Sequence, residues 1–303
     1  MVINRMNDYV FKWIFGNRDR KDLLLSFINS VLTDGGEEDI IRDIELIDRE
    51  LDPAFYLDKA SRLDILGETM DGQKINLEVQ TSNDGDIDQR SMYYWAKIYQ
   101  EQLLEGMKYK DLRPTIAINV LNFNYFATEK YHSKFAVLEE EEHYRLNDNL
   151  QMHFIEMKKW TKLSIKTRNR LERWLLFLAN NNPIELEEIA MKDATMTRAL
   201  EAEKMFLSSK EARYIYDQRE KARRDWFSSI ATAEERGEKK GIAVGIKKGR
   251  KEGFEEGRKK GIEKSIEKMA INLLQIGIAL DKIQQVTGLD VKALEKLKEK
   301  TFP

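Results

Sequence analysis

Asp64, Glu78 and Gln80 stand in the stretch Arg62–Gln80 (RLDILGETMDGQKINLEVQ) at a spacing that a β-hairpin would bring together. Met70-Asp71-Gly72 fits a three-residue loop, a type I turn closed by a glycine in the left-handed region. Counting outward, Thr69 pairs with Gln73 and Asp64 faces Glu78, with their Cβ atoms about 5 Å apart on one face. Gln80 shares that face, because strand side chains alternate. A two-residue Asp-Gly loop would instead set Asp64 against Val79 and separate the carboxylates, so the geometry depends on the turn. Two carboxylates held together raise each other's pKa unless a cation lies between them. A magnesium ion resolves that conflict: it acidifies a bound water and stabilises negative charge on a phosphodiester. Leu63, Ile65, Leu77 and Val79, on the opposite face, are apolar and suited to packing against helices. The same spacing equally fits a solvated hairpin whose outer face is acidic.

The remaining composition narrows the chemistry. The chain has no cysteine, which excludes disulfide frameworks and Cys-based metal centres and suits a reducing compartment. Its three histidines, His132, His143 and His153, do not fall at a metal-ligand spacing. A bound metal must therefore take oxygen ligands, which favours magnesium, with manganese or calcium as alternatives. No basic-then-apolar export signal opens the sequence, and no apolar run reaches the roughly 18 residues of a membrane span. A soluble, cytoplasmic protein with no membrane partner is expected. The formal net charge is −2, so contact with nucleic acid must come from local patches.

Stepping outward from the hairpin, helices are expected over Met6–Phe15 and Lys21–Leu32, with Leu23, Leu24, Phe27, Ile28 and Val31 on one face. A strand is expected near Ile40–Ile47, a break at Asp52–Pro53, then strands at Arg62–Glu68 and Lys74–Gln80. A helix from about Ile87 to Glu105 follows. Thr115–Leu121 (TIAINVL) reads as a buried central strand and Leu150–Met157 as another. Glu139–Glu142, between them, reads as a solvated loop. The order implies an α/β fold with a mixed sheet flanked by helices and a C-terminal helical arm. The expected organisation is a core over 1–165, a helical extension over 166–235 broken at Asn180–Pro183, a repeat arm over 236–264 and a tail over 265–303.

In the arm, Gly237, Gly241, Gly245, Gly249, Gly253, Gly257 and Gly261 recur every four residues. On a helix such positions precess by about 40° per step rather than marking one face, and each glycine costs about 1 kcal/mol relative to alanine. The segment reads as a marginal helix or as disordered, ordered on meeting a partner. Arg236–Lys264 carries eleven Lys/Arg against five Glu, enough to track a phosphate backbone or simply to solvate a linker. The tail, LLQIGIALDKIQQVTGLDVKALEKLKEK, has the rhythm of a helix-turn-helix but equally of an αα-hairpin for oligomerisation.

The D-x13-E-x-Q pattern across the hairpin resembles the D…(D/E)-x-K signature of the PD-(D/E)XK nuclease superfamily. Within it the chain is similar to the recombination-promoting nuclease and transposase family, over about residues 5–160 and in its glycine repeat and tail. The resemblance rests on Asp8-x-x-Phe11-Lys12-x-x-Phe15, the RLDI of Arg62–Ile65 and the LEVQ of Leu77–Gln80. Arg90, Tyr93, Tyr94, Tyr99, Gln102, Gly106 and the strand after Pro114 complete it. It implies a restriction-endonuclease-like fold and a magnesium-dependent DNA endonuclease that hydrolyses phosphodiesters with a metal-bound water, linked to recombination or mobile elements. It also implies that Asp64 and Glu78 ligate the metal, with the carbonyl of Val79, and that Gln80 orients water or phosphate. Gln80 stands where most of the superfamily has lysine; an amide can neither act as a general base nor supply charge. Leu63 replaces the proline of the motif. Arg90 could bind phosphate or be a surface or ion-paired arginine. A homodimer would suit a double-strand cut. The rival expectation is a DNA-binding or assembly protein with a silent site.

Overall fold

The computed structural model of the chain describes residues 3–47, 64–161, 168–179 and 182–301. The chain divides into two compact units, Met1–Arg219 and Glu220–Pro303.

The first unit is built on a six-stranded sheet. Its strands are β1 (Ile44–Leu46), β2 (Ile65–Thr69), β3 (Lys74–Gln80), β4 (Thr115–Leu121), β5 (His132–Phe135) and β6 (Leu150–Glu156). They run in the order β1-β2-β3-β4-β6-β5. The central β3, β4 and β6 are parallel, and the outer pairings are antiparallel. Strands covered on both faces read as continuous apolar runs, and TIAINVL is buried at every position.

The sheet is sandwiched unequally. On one face lie α1 (Asp8–Phe15), α2 (Lys21–Leu32), α5 (Arg170–Ala179), α6 (Pro183–Ala190) and α7 (Ala194–Ser208). Their Phe11, Phe15, Phe27 and Trp174 pack in one cluster with Ile75, Leu77, Val79, Ile118 and Val120. Burial of each such side chain contributes roughly 1.5–3 kcal/mol. On the other face α3 (Ile87–Gln100) brings Ile87 against a smaller cluster of Ala117, Leu121, Met152 and Phe154. A one-turn helix, α4 (Met157–Trp160), follows β6 directly. Local signals set the helix starts: the Asn7 side chain accepts the N–H groups of Tyr9 and Val10, and Asp193 accepts those of Thr195 and Met196 at the start of α7. The buried ion pair of Arg5 with Glu203 ties the N-terminal segment to α7.

Three expectations need correction. The first strand is only Ile44–Leu46, since its pairing with β2 covers just three residues. Helix α3 ends at Gln100, short of Glu105, because Gln102 leaves the helix to pin the start of β4. Its Nε2 donates to Thr115 Oγ1 at 2.9 Å, and its Oε1 accepts the Arg113 N–H at 3.1 Å. Strand β5 was not expected. HSKF lacks apolar alternation, and its form follows from antiparallel pairing at the sheet edge, His132 with Ile155 and Phe135 with Met152. Residues 140–142 are exposed and turn on the Glu139 carboxylate, as a solvated loop would. The Asp52–Pro53 break, Arg62, Leu63, Lys166 and Asn180 lie outside the described residues.

The long helix α8 (Lys210–Gln275) begins in the first unit and forms most of the second. The glycine repeat lies within it as continuous helix, and a Cβ added at any of the seven glycines would meet nothing within 4 Å. Pairs such as Glu235–Lys239 and Glu256–Lys260 support it, each by roughly 0.2–0.5 kcal/mol. After it come α9 (Leu280–Thr287) and α10 (Val291–Thr301). Ala270, Leu274, Ile283, Leu294 and Leu297 form their small core. Gly288, at φ 71°, caps α9 in the left-handed region. Among the described residues no helix is long and apolar enough to cross a membrane.

Candidate active site

The hairpin turns as its sequence requires. Thr69 N–H donates to the Gln73 carbonyl at 2.9 Å, and Gly72 N–H to the Thr69 carbonyl at 2.9 Å. Gly72 has φ +79°, which favours glycine. The register runs from Glu68↔Lys74 to Ile65↔Leu77, and one further step sets Asp64 across from Glu78. The two-residue loop is thereby excluded.

Asp64 stands just before β2, and its Oδ2 accepts the Val79 N–H at 2.8 Å. The carboxylate thus takes a place that a backbone carbonyl fills elsewhere in the ladder. In an extended strand the N–H and C=O of one residue face the same neighbour, so the Val79 carbonyl is directed to the edge where Asp64 sits.

Glu78 is only 2% exposed. The hairpin is therefore not a solvated one with an acidic outer face; β3 is buried on both sides over Ile75–Val79. The Glu78 Oε1 accepts the Asn76 Nδ2 at 3.2 Å, and Oε2 lies 3.9 Å from Arg90 Nη2. Asn119, beside Glu78 in the parallel register, donates to Ser91 Oγ on α3 at 2.9 Å. Arg90 also lies over the Tyr94 ring, 5.5 Å from its centroid.

The electrostatics are unfavourable to two bare charges. Burial pushes the Asp64 carboxyl up to about 7, the Val79 N–H holds it down, and the charge of Glu78 raises it further. Burial also raises Glu78, against the opposing effects of the Asn76 amide, the Arg90 charge and a hydrogen bond from the Gln80 side chain. Gln80 thus interacts with its neighbouring carboxylate. Arg90, at 3.9 Å, forms a loose ion pair with a partly exposed side chain, a geometry compatible with either of its expected roles.

Lys12 of α1 acts electrostatically on both carboxylates, and Asp8 on Asp64. The sequence offered Asp8 and Lys12 one helical turn apart, yet nothing local linked that turn to a hairpin fifty residues away. Asn76, which touches Glu78, was likewise missed, although its place two residues before Glu78 put it on the same face.

Among the described residues no group of three or more His, Asp or Glu converges as a metal cage. The donors available are two carboxylates and a backbone carbonyl. Magnesium is commonly held by one or two carboxylates, with waters and substrate phosphate completing its shell. Two buried carboxylates, both raised by burial and one raised further by the other's charge, fit such a cation.

The six-stranded mixed sheet with helices on both faces fits a restriction-endonuclease-like fold. The sequence profile of PD-(D/E)XK nuclease family transposases matches residues 5–233, and the chain belongs to that family. No curated protein matches the chain. No solved structure matches it either.

Proposed function

We propose that the protein is a divalent-metal-dependent DNA endonuclease that hydrolyses phosphodiester bonds, acting in recombination or on mobile elements. The observation that carries this reading is the buried pair Asp64 and Glu78, beside Val79, where burial raises both carboxyls and the charge of Glu78 raises Asp64 further despite Arg90 and Lys12 nearby. Asp64, Glu78 and the Val79 carbonyl would hold the ion, with magnesium the preferred occupant and manganese or calcium able to substitute. When bound, the cation supplies positive charge at the phosphate and acidifies water. Asp64 keeps its carboxylate fixed on Val79 N–H. Gln80 orients Glu78 and the attacking water, and the partly exposed Arg90 side chain binds a phosphate oxygen. A homodimer acting in the cytoplasm would allow both strands of a duplex to be cut.

The test is nicking of supercoiled plasmid in magnesium by wild type, Asp64→Ala and Glu78→Ala. Cleavage by wild type alone supports the reading. An inactive wild type in magnesium, manganese and calcium would overturn it in favour of a second reading, a DNA-binding or assembly protein with a silent site. What favours that alternative is Gln80, an amide that brings no charge to the position where the superfamily has lysine.

A further inference from the structure

Asn76 lies two residues before Glu78 on β3 and is 3% exposed. Asparagine is disfavoured in strands, and a buried amide needs partners for both its nitrogen and its oxygen. Its Nδ2 donates to Glu78 Oε1 at 3.2 Å. Its Oδ1 is buried and meets no hydrogen-bond donor among the described residues. Its lateral neighbours, Leu66 on β2 and Ala117 on β4, carry no polar side-chain atom. The amide cannot be turned to relieve the oxygen, because an ionised carboxylate only accepts, and turning it would set two oxygens against each other. For packing alone, leucine would suit this position better.

We infer that Asn76 is a positioning residue of the site: its Nδ2 fixes the Glu78 carboxylate in the orientation that meets the cation held with Asp64, and the unsatisfied Oδ1 is stability given up for that purpose. The inference rests on the cation-site reading above. It distinguishes Asn76 from Asn119, whose amide is spent on Ser91 and the His153 carbonyl rather than on a carboxylate.

The experiment compares the full-length wild type with Asn76→Leu in two measurements, Mn2+ binding by calorimetry and thermal unfolding without metal. The variant is expected to bind Mn2+ about 10–100-fold more weakly, the usual effect of removing a group that orients a ligand, whichever way its metal-free melting temperature moves, since the hydrogen bond lost at Glu78 and the buried Oδ1 relieved act in opposite directions. A merely structural asparagine would give a lower melting temperature with unchanged affinity, and unchanged affinity overturns the inference. If wild type binds no Mn2+, the cation-site reading falls and the inference with it; if wild type binds and the variant binds equally, the inference alone falls. Should Asn76→Leu not fold, the wild type still decides by NMR. Saturating Mg2+ should shift the Asn76 side-chain NH2 resonances, and resonances that stay in place would refute the role.

Discussion

Two glutamates are buried in the same face of the sheet and are treated oppositely. Glu156, at the end of β6, is 0% exposed. Its Oε1 accepts the Tyr125 and Phe126 N–H groups at 2.5 and 3.3 Å, and Oε2 accepts Lys159 Nζ at 2.5 Å. Lys159 in turn donates to the Phe126 carbonyl at 2.7 Å. Glu78, on β3, has the Asn76 and Gln80 amides, an arginine only at 3.9 Å and a second carboxylate for a neighbour. A buried charge kept for structure is given a full set of partners. Glu156 has that set, clamping the 125–126 segment to the sheet. Glu78 holds Arg90 only at 3.9 Å and is set beside Asp64, an arrangement that makes sense if a cation joins the pair.

The largest expected effect is a difference of sign between these two residues. Glu156→Gln should destabilise the protein by roughly 3–5 kcal/mol, because Lys159 is left buried without its counter-charge. Glu78→Gln should stabilise the metal-free protein in the same urea titration. Two destabilised variants would mean that Glu78 is as structural as Glu156 and would remove the contrast.

The pH dependence sharpens it. The Asp64 carboxyl is raised from 3.8 to about 7 on folding. Its favourable contribution is complete below about pH 4 and is lost as pH rises through 7, with Glu78 acting in the same direction. Asp64→Asn should therefore gain on wild type by about 2–4 kcal/mol between pH 4 and pH 8 without metal, and saturating Mg2+ should reduce that gain. A difference that does not vary with pH would show the pair to be unstrained.

The histidine pair of the β5–β6 edge responds the other way. His132 Nδ1 meets Asp34 Oδ1 at 2.7 Å, and His132 Nε2 meets His153 Nδ1 at 3.0 Å. Burial holds His153 down at about 3. The unfolded imidazole takes up its proton near pH 6.5 while the folded one does not, so stability falls from there toward pH 3, by at most about 1.4 kcal/mol per pH unit. His153→Gln should flatten that acid-side slope in thermal melts from pH 6 to pH 4. An unchanged slope would assign the acid sensitivity elsewhere. The smallest effect is at Lys12: Lys12→Met should lower metal-free stability at pH 8 by only about 0.5 kcal/mol, as expected of a charge acting at the margin of the site. No loss at all would show that the Lys12 charge does not act on the carboxylates.

Much of this was legible in the sequence because it is local. The hairpin register follows from Met70-Asp71-Gly72, α2 and β4 coincide with their apolar patterns, and the carboxylate pair follows from the register. What was not legible depends on distant partners. Strand β5 owes its form to β6, the end of α3 to Gln102 reaching Thr115, and the nearness of Lys12 to the packing of α1 on the sheet. The burial of Glu78 was hidden for the same reason. Alternation marks a face, but only α3 folded over that face makes it dry.

The most direct test is the proton count on magnesium binding at pH 7, by calorimetry in two buffers of different ionisation enthalpy. With Asp64 near half-protonation at that pH, binding should release about half a proton or more, and Asp64→Asn should reduce the release. Binding with no proton released, or no binding at all, would contradict a cation held by Asp64 and Glu78.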